Sequence, residues 1–89
     1  MNASIELSLY PLKENYKEKI TAFILRLKKY DSIVVKPNGM STQIFGDYDL
    51  IMDLLKKELA EELSSHRCMA VMKIGSGFLT SDKLPKELL

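Results

Sequence analysis

The sequence predicts an α+β sandwich, a four-stranded antiparallel sheet with two helices on one face. Three observations carry this. Apolar residues alternate with polar ones near the start of the chain. Two longer stretches repeat their apolar residues at spacings of three and four. The segments follow one another as strand, helix, strand, strand, helix, strand, with turn residues between them.

Ile5, Leu7 and Leu9 alternate with Ser4, Glu6, Ser8 and Tyr10, the period-two mark of a strand with one apolar face. Pro11 has no amide hydrogen and is expected to end it. Between Glu14 and Tyr30 the period changes. Tyr16, Ile20, Phe23, Ile24, Leu27 and Tyr30 fall on one helical stripe, while Lys13, Lys17, Lys19, Arg26, Lys28 and Lys29 lie mainly outside it. Asp31-Ser32 breaks the helix, and the β-branched run Ile33-Val34-Val35 fits a second strand. Pro37-Asn38-Gly39 closes a hairpin onto a third strand, Met40 to Phe45, which Gly46 is expected to end. Asp47 is placed to cap a second helix. Its stripe is Leu50, Ile51, Leu54, Leu55, Leu59 and Leu63, with Lys56, Lys57, Glu58, Glu61 and Glu62 read as the solvated face. Ser64-Ser65-His66 is the next break, and Cys68 to Ile74 a fourth strand. Residues 1–75 are therefore read as the domain. Residues 76–89 form an arm or short helix, with Leu84, Leu88 and Leu89 as apolar contacts. Right-handed crossovers around the helices turn this order into the split βαβ, or ferredoxin-like, arrangement. Both helices then cover one sheet face and leave the other for water, a ligand or another subunit.

Composition narrows the function classes. The chain has 89 residues, the size of one domain. A net charge of +1 provides no field to draw it onto nucleic acid or an anionic membrane. One cysteine, Cys68, rules out an internal disulfide framework and suits a reducing compartment. No apolar run approaches the ~20 residues of a membrane span, and the N-terminal residues carry no signal-peptide pattern. The expectation is a soluble cytoplasmic protein.

Catalytic chemistry finds little support. His66 is the only histidine and falls in an expected turn, where a solvated residue is the ordinary outcome. Cys68 is read as a buried strand thiol. One histidine and one cysteine supply no metal cluster, and Gly75 and Gly77 follow a strand without opening a helix, so they form no phosphate loop. An enzyme working through His66 or Cys68 has no supporting constellation.

The strand polar residues say more. Ser8 and Tyr10 lie on the polar side of the first strand, and Ser41, Thr42 and Gln43 are consecutive on the third. Those two strands are neighbours at the centre of the sheet in this topology. Unpaired polar groups buried there cost about 1–3 kcal/mol each, so they need partners. Either they line a small-molecule pocket, or they bond to each other, to water or across a subunit interface. Asp47 is open in the same way, as a helix cap or as a carboxylate accepting from a heterocycle. Glu6 is a second acidic candidate if its face is closed off, and Tyr48 is a surface aromatic or a stacking ring.

Ser8-Leu9-Tyr10-Pro11-Leu12 and Met40-Ser41-Thr42-Gln43-Ile44-Phe45-Gly46-Asp47 resemble the two signature segments of the YkoF-like thiamine-binding family. The likeness spans about residues 4–74. It implies a ferredoxin-like fold and a protein that binds thiamine or its hydroxymethylpyrimidine part, in uptake or salvage, without catalysing a reaction and without a cofactor. It also implies a homodimer or higher homo-oligomer, because the family's namesake carries two such units in one chain. The ligand-binding positions implied by motif are Ser8, Tyr10, Ser41, Thr42, Gln43 and Asp47. The competing expectation is an interaction module that oligomerises through its sheet and needs no small ligand.

Overall fold

The computed structural model describes residues 1–89. The elements are β1 (Asn2–Pro11), α1 (Tyr16–Leu27), β2 (Val34–Pro37), β3 (Thr42–Asp47), α2 (Tyr48–Ser65) and β4 (Cys68–Ser76), followed by single 3-10 turns at Ser81–Lys83 and Lys86–Leu88. The sheet order is β2-β3-β1-β4, with every neighbouring pair antiparallel. This is the ferredoxin-like α+β fold that the order of apolar periods predicts.

Some boundaries differ from expectation. Gly46 does not end β3, because Gly46 and Asp47 still pair with Ala3 and Asn2. β4 likewise runs past Ile74 to Ser76, held against Ala3. Pro11, by contrast, ends β1 as expected, opposite Cys68. α1 is shorter than its stripe, and Tyr16 is exposed.

The alternation of β1 organises the core. Ala3, Ile5, Leu7 and Leu9 lie buried on one face beside Ile44 of β3. Phe23 and Leu27 of α1 and Ile51, Leu54 and Leu55 of α2 close over them. Full burial of such a side chain contributes about 1.5–3 kcal/mol.

The hydrogen-bond phase of the sheet can be read from its ends. Tyr48 N donates to Met1 O at 2.9 Å, in step with the β1–β3 register. Leu12 N donates to Arg67 O and Gly77 N to Asn2 O, both at 2.9 Å, in step with β1–β4. Odd-numbered residues of β1 therefore turn their backbone groups to β3, and even-numbered ones to β4.

Two readings of the helix surface are overturned. Glu58 and Glu62 are buried rather than solvated, and His66 is buried rather than a solvated loop residue. The reason is an ionic clamp between the helices. Arg26 Nε donates to Glu58 Oε1 and its Nη2 to Glu62 Oε1, each at 2.8 Å, and the Tyr30 hydroxyl donates to Glu58 Oε2 at 2.6 Å. His66 Nε2 lies 2.7 Å from Glu62 Oε2. Buried carboxylates persist only when paired in this manner.

The arm contacts the sheet through residues other than those expected. Leu84, Leu88 and Leu89 are exposed. Phe78 instead meets Phe45 edge-on, with ring centroids 6.5 Å apart, and Leu79 lies over Gly75, where a Cβ would stand 2.5 Å from its Cδ1. Gly77, at φ +76°, makes the bend. Ser4 Oγ then donates to Gly77 O at 2.6 Å and accepts from Leu79 N at 2.8 Å.

Candidate functional site

β1 outruns its partner, and this creates the site. The β1–β3 pairing stops at Leu7 opposite Thr42, while β1 continues to Pro11 paired on its other side with β4. The β2–β3 hairpin turns away at this point, leaving a notch beneath the N-terminal half of α1. The notch is a cleft of about 410 Å³, within the range of small-molecule sites. Tyr16, Ile20 and Ile24 of α1 form its apolar wall, Leu7 and Leu9 belong to its floor, and Asn38 to Ser41 form its rim.

Ser8, Tyr10, Ser41 and Thr42 all line this cleft. Thr42 shares the helix-facing side of the sheet with Leu7 and is buried. Its hydroxyl makes no intramolecular hydrogen bond. No fully buried side-chain nitrogen or oxygen is left without a partner, so this hydroxyl opens into the cleft. Ser8 Oγ donates weakly to Met40 O at 3.4 Å. Asn38 shapes the rim: its Oδ1 accepts from Met40 N at 2.8 Å and from Ser41 N at 2.9 Å, an Asx turn that holds the hairpin tip.

A further feature was not expected from the side chains. Leu9 is an odd-numbered residue of β1, so its N–H and C=O turn towards the β3 side, but β3 no longer accompanies it there. Neither group has an intramolecular partner. The cleft thus offers a backbone donor and acceptor side by side, next to the Thr42 hydroxyl and an aliphatic wall. That combination suits a flat heterocycle carrying an amino group and ring nitrogens. Leu9 reads only as a core residue in the sequence, because its hydrogen-bonding role depends on where its neighbour strand ends.

Gln43 and Asp47 lie elsewhere. Gln43 pairs with Glu6 on the opposite sheet face, in a shallower groove that includes Ser4 and Lys73. Lys73 Nζ stands 3.8 Å from Glu6 Oε1 in that groove. Asp47 caps α2: its Oδ2 accepts from Leu50 N at 3.3 Å and its Oδ1 from the N-terminal ammonium at 3.0 Å. The ammonium first, and the Leu50 amide second, hold its pKa below the usual carboxylate value. Asp47 sits at the far end of β3 from Thr42, about 16 Å away at the ordinary strand rise.

The titratable cluster of the molecule is the clamp. Burial pushes the Glu62 pKa up, but hydrogen bonds from His66 and Arg26 outweigh it and leave the pKa lowered. The Tyr30 hydroxyl first, and Arg26 second, lower that of Glu58. Burial first, and the Glu62 carboxylate second, raise the pKa of the Cys68 thiol. No group of three or more His, Cys, Asp or Glu side chains is placed to hold a metal ion. No helix is long and apolar enough to cross a membrane.

Residues 2–76 match the model of the YKOF-related family. Among solved structures, a protein of Streptococcus pneumoniae is 26% identical at a TM-score of 0.79, covering 91% of this chain and 92% of its own. A hypothetical protein of Methanocaldococcus jannaschii is also 26% identical, at a TM-score of 0.74 and coverages of 98% and 92%. A Thermotoga maritima protein, named for a proposed role in thiamine biosynthesis or salvage, shares the fold at a TM-score of 0.78, with 17% identity and 92% of each chain covered. No curated protein matches the chain.

Proposed function

Since the chain belongs to the YKOF-related family, we propose that it binds thiamine or its hydroxymethylpyrimidine moiety in the cleft under α1, as a non-catalytic binder serving uptake or salvage. The observation that carries the reading is convergence. Ser8 and Tyr10 from the first signature segment and Ser41 and Thr42 from the second line one cleft, although 27 residues lie between the two segments. The thiamine-related name of the Thermotoga maritima protein supports the same ligand class.

In this reading the aminopyrimidine lies against Tyr16, Ile20 and Ile24. The Leu9 backbone pair and the Thr42 hydroxyl meet its polar edge. Gln43 and Asp47 stand outside the contact shell: Asp47 holds α2, and Gln43 serves the other sheet face. Thermal melting with thiamine, its phosphates and hydroxymethylpyrimidine tests the proposal. Ligand at ~100 times its Kd adds about 2.7 kcal/mol to stability and raises Tm accordingly. If none of these compounds moves Tm at millimolar concentration, the proposal fails.

A further inference from the structure

The arm builds a second cleft, on the sheet face away from the helices. Phe45 stands three residues beyond Thr42, so the pleat sends it to the side opposite α1. Val34 pairs with Phe45 and Lys36 with Gln43, which places Val34 and Lys36 on that same face. The arm leaves β4 after Ser76, bends at Gly77 and crosses this face. It is fastened there by the two hydrogen bonds of Ser4 Oγ and by the contact of Phe78 with Phe45. Where the arm meets β2 and β3 it encloses about 330 Å³, with Ser32, Val34, Lys36, Phe45, Phe78 and Lys83 among the lining residues. Phe78 and Lys83 lie beyond the family-matched residues 2–76.

Two ammonium groups line this cleft, and neither Lys36 nor Lys83 forms an ion pair. Lys83 Nζ stands 5.8 Å from the centre of the Phe78 ring, a cation–π contact that holds the charge beside the arm. Asp82 is the acidic group that both lysines feel, but its carboxylate accepts from the Thr80 hydroxyl first and from its own amide second, and it does not line the cleft. The cleft is therefore positive. The Ser32 hydroxyl at its margin is exposed and can donate. Beneath these polar groups the floor is apolar: Phe45 is buried, Phe78 half-buried and Val34 half exposed. An apolar floor under unpaired cations is complementary to an anion that carries an apolar body.

We propose that this cleft is a second binding site, separate from the one under α1, for a small organic anion: one ring, or an equally compact apolar body, bearing a carboxylate or a phosphate. The body lies on Val34, Phe45 and Phe78, and the anionic oxygens meet Lys36, Lys83 and the Ser32 hydroxyl. Size sets the class. A volume of 330 Å³ is at the low end of the ~300–1,000 Å³ of small-molecule sites, enough for a ring with its head group and too little for a dinucleotide. The apolar walls also displace water from around the two ammonium groups, which strengthens their attraction for an anion relative to lysines in open solvent. Lys36 belongs to β2 and Lys83 to the arm, so the pair of charges exists only while the arm is docked. The site does not depend on the ligand reading above.

Amide NMR titration of the isotope-labelled chain tests this, with phenyl phosphate and benzoate as probes and phenol as their uncharged control. Either anion is expected to move the amide signals of Ser32, Lys36, Phe78 and Lys83 and to saturate in the millimolar range, and the tighter of the two identifies the head group. Phenol at the same concentration is expected to leave those signals in place. Lys36→Gln combined with Lys83→Gln should weaken binding about tenfold. Both side chains are exposed, so the fold and Tm should be kept. Lys28→Gln combined with Lys29→Gln removes the same charge beyond the end of α1 and should bind as wild type does. Unmoved signals with both anions at millimolar concentration would overturn the proposal. So would phenol binding as tightly as the anions, or equal losses in the two double variants, the mark of diffuse attraction to a lysine-rich surface. Shifts confined to Ser8, Leu9 and Thr42 would overturn it too, by placing the anions in the cleft under α1.

Discussion

Glu62 is the side chain on which the contact between the two helices depends most, and Glu62→Gln tests this with almost no change of shape. The carboxylate is 5% exposed and holds two partners, the Arg26 guanidinium at 2.8 Å and the His66 ring at 2.7 Å. A neutral amide can accept from one of them and must turn its NH2 towards the other. A hydrogen bond to a charged group is worth about 1.5–3 kcal/mol. The Arg26 share is discounted towards the ~1 kcal/mol of surface pairs, because its side chain is 32% exposed and keeps Glu58. The His66 share is not discounted, because that ring is 1% exposed and has no other carboxylate partner. The expected loss is about 3 kcal/mol, or about 15 °C in Tm at ~5 °C per kcal/mol for a domain of this size. Urea unfolding at pH 7 measures it directly, as a drop in midpoint at unchanged m. Glu61→Gln, one position away and exposed, removes the same charge and is expected to stay within about 0.5 kcal/mol of wild type. A loss below 1 kcal/mol for Glu62→Gln, or equal losses for the two variants, would refute the clamp as a source of stability.

Other perturbations reach different parts of the structure. Glu58 and Glu62 have lowered pKa values in the folded chain, so their stabilisation is present above their usual value near 4.5 and disappears as the pH falls through the folded values. Acid titration of Tm should show that limb in wild type and a shallower one in Glu62→Gln. Tyr30 has a raised pKa, set first by its hydrogen bond to Glu58, so its contribution holds below pH 10 and fades above it; Tyr30→Phe should lack that alkaline limb. Thr42→Val keeps the shape of the cleft and removes its inward hydroxyl. Calorimetry should show thiamine affinity reduced about tenfold with folding intact, and unchanged affinity would clear Thr42 of contact with ligand. Ser4→Ala leaves the Leu79 amide and the Gly77 carbonyl without their shared partner, so the Leu79 amide should exchange about tenfold faster, the equivalent of ~1.4 kcal/mol of local opening.

The sequence by itself determined the local elements. The alternation of Ile5, Leu7 and Leu9, the helical stripe that includes Phe23 and Leu27, the hairpin at Pro37-Asn38-Gly39 and the Asp47 cap all rest on interactions within a few residues. So does the order of strands and helices, from which the sandwich follows. Tertiary structure decided what those elements do to each other. Glu58, Glu62 and His66 repeat every four residues, a pattern that looks the same on a solvated helix face. Burial came from Arg26 and Tyr30, which lie 28 to 36 positions away and meet them only when α1 packs beside α2. Ser41, Thr42 and Gln43 are a polar run in the chain, but the pleat sends Thr42 beneath α1 and Gln43 to the other face. Leu9 became a polar part of the cleft because β3 ends before β1 does. Periodicity records the face a side chain takes within its own element. Which polar groups end up paired depends on where neighbouring strands and helices begin and end, and packing alone determines that.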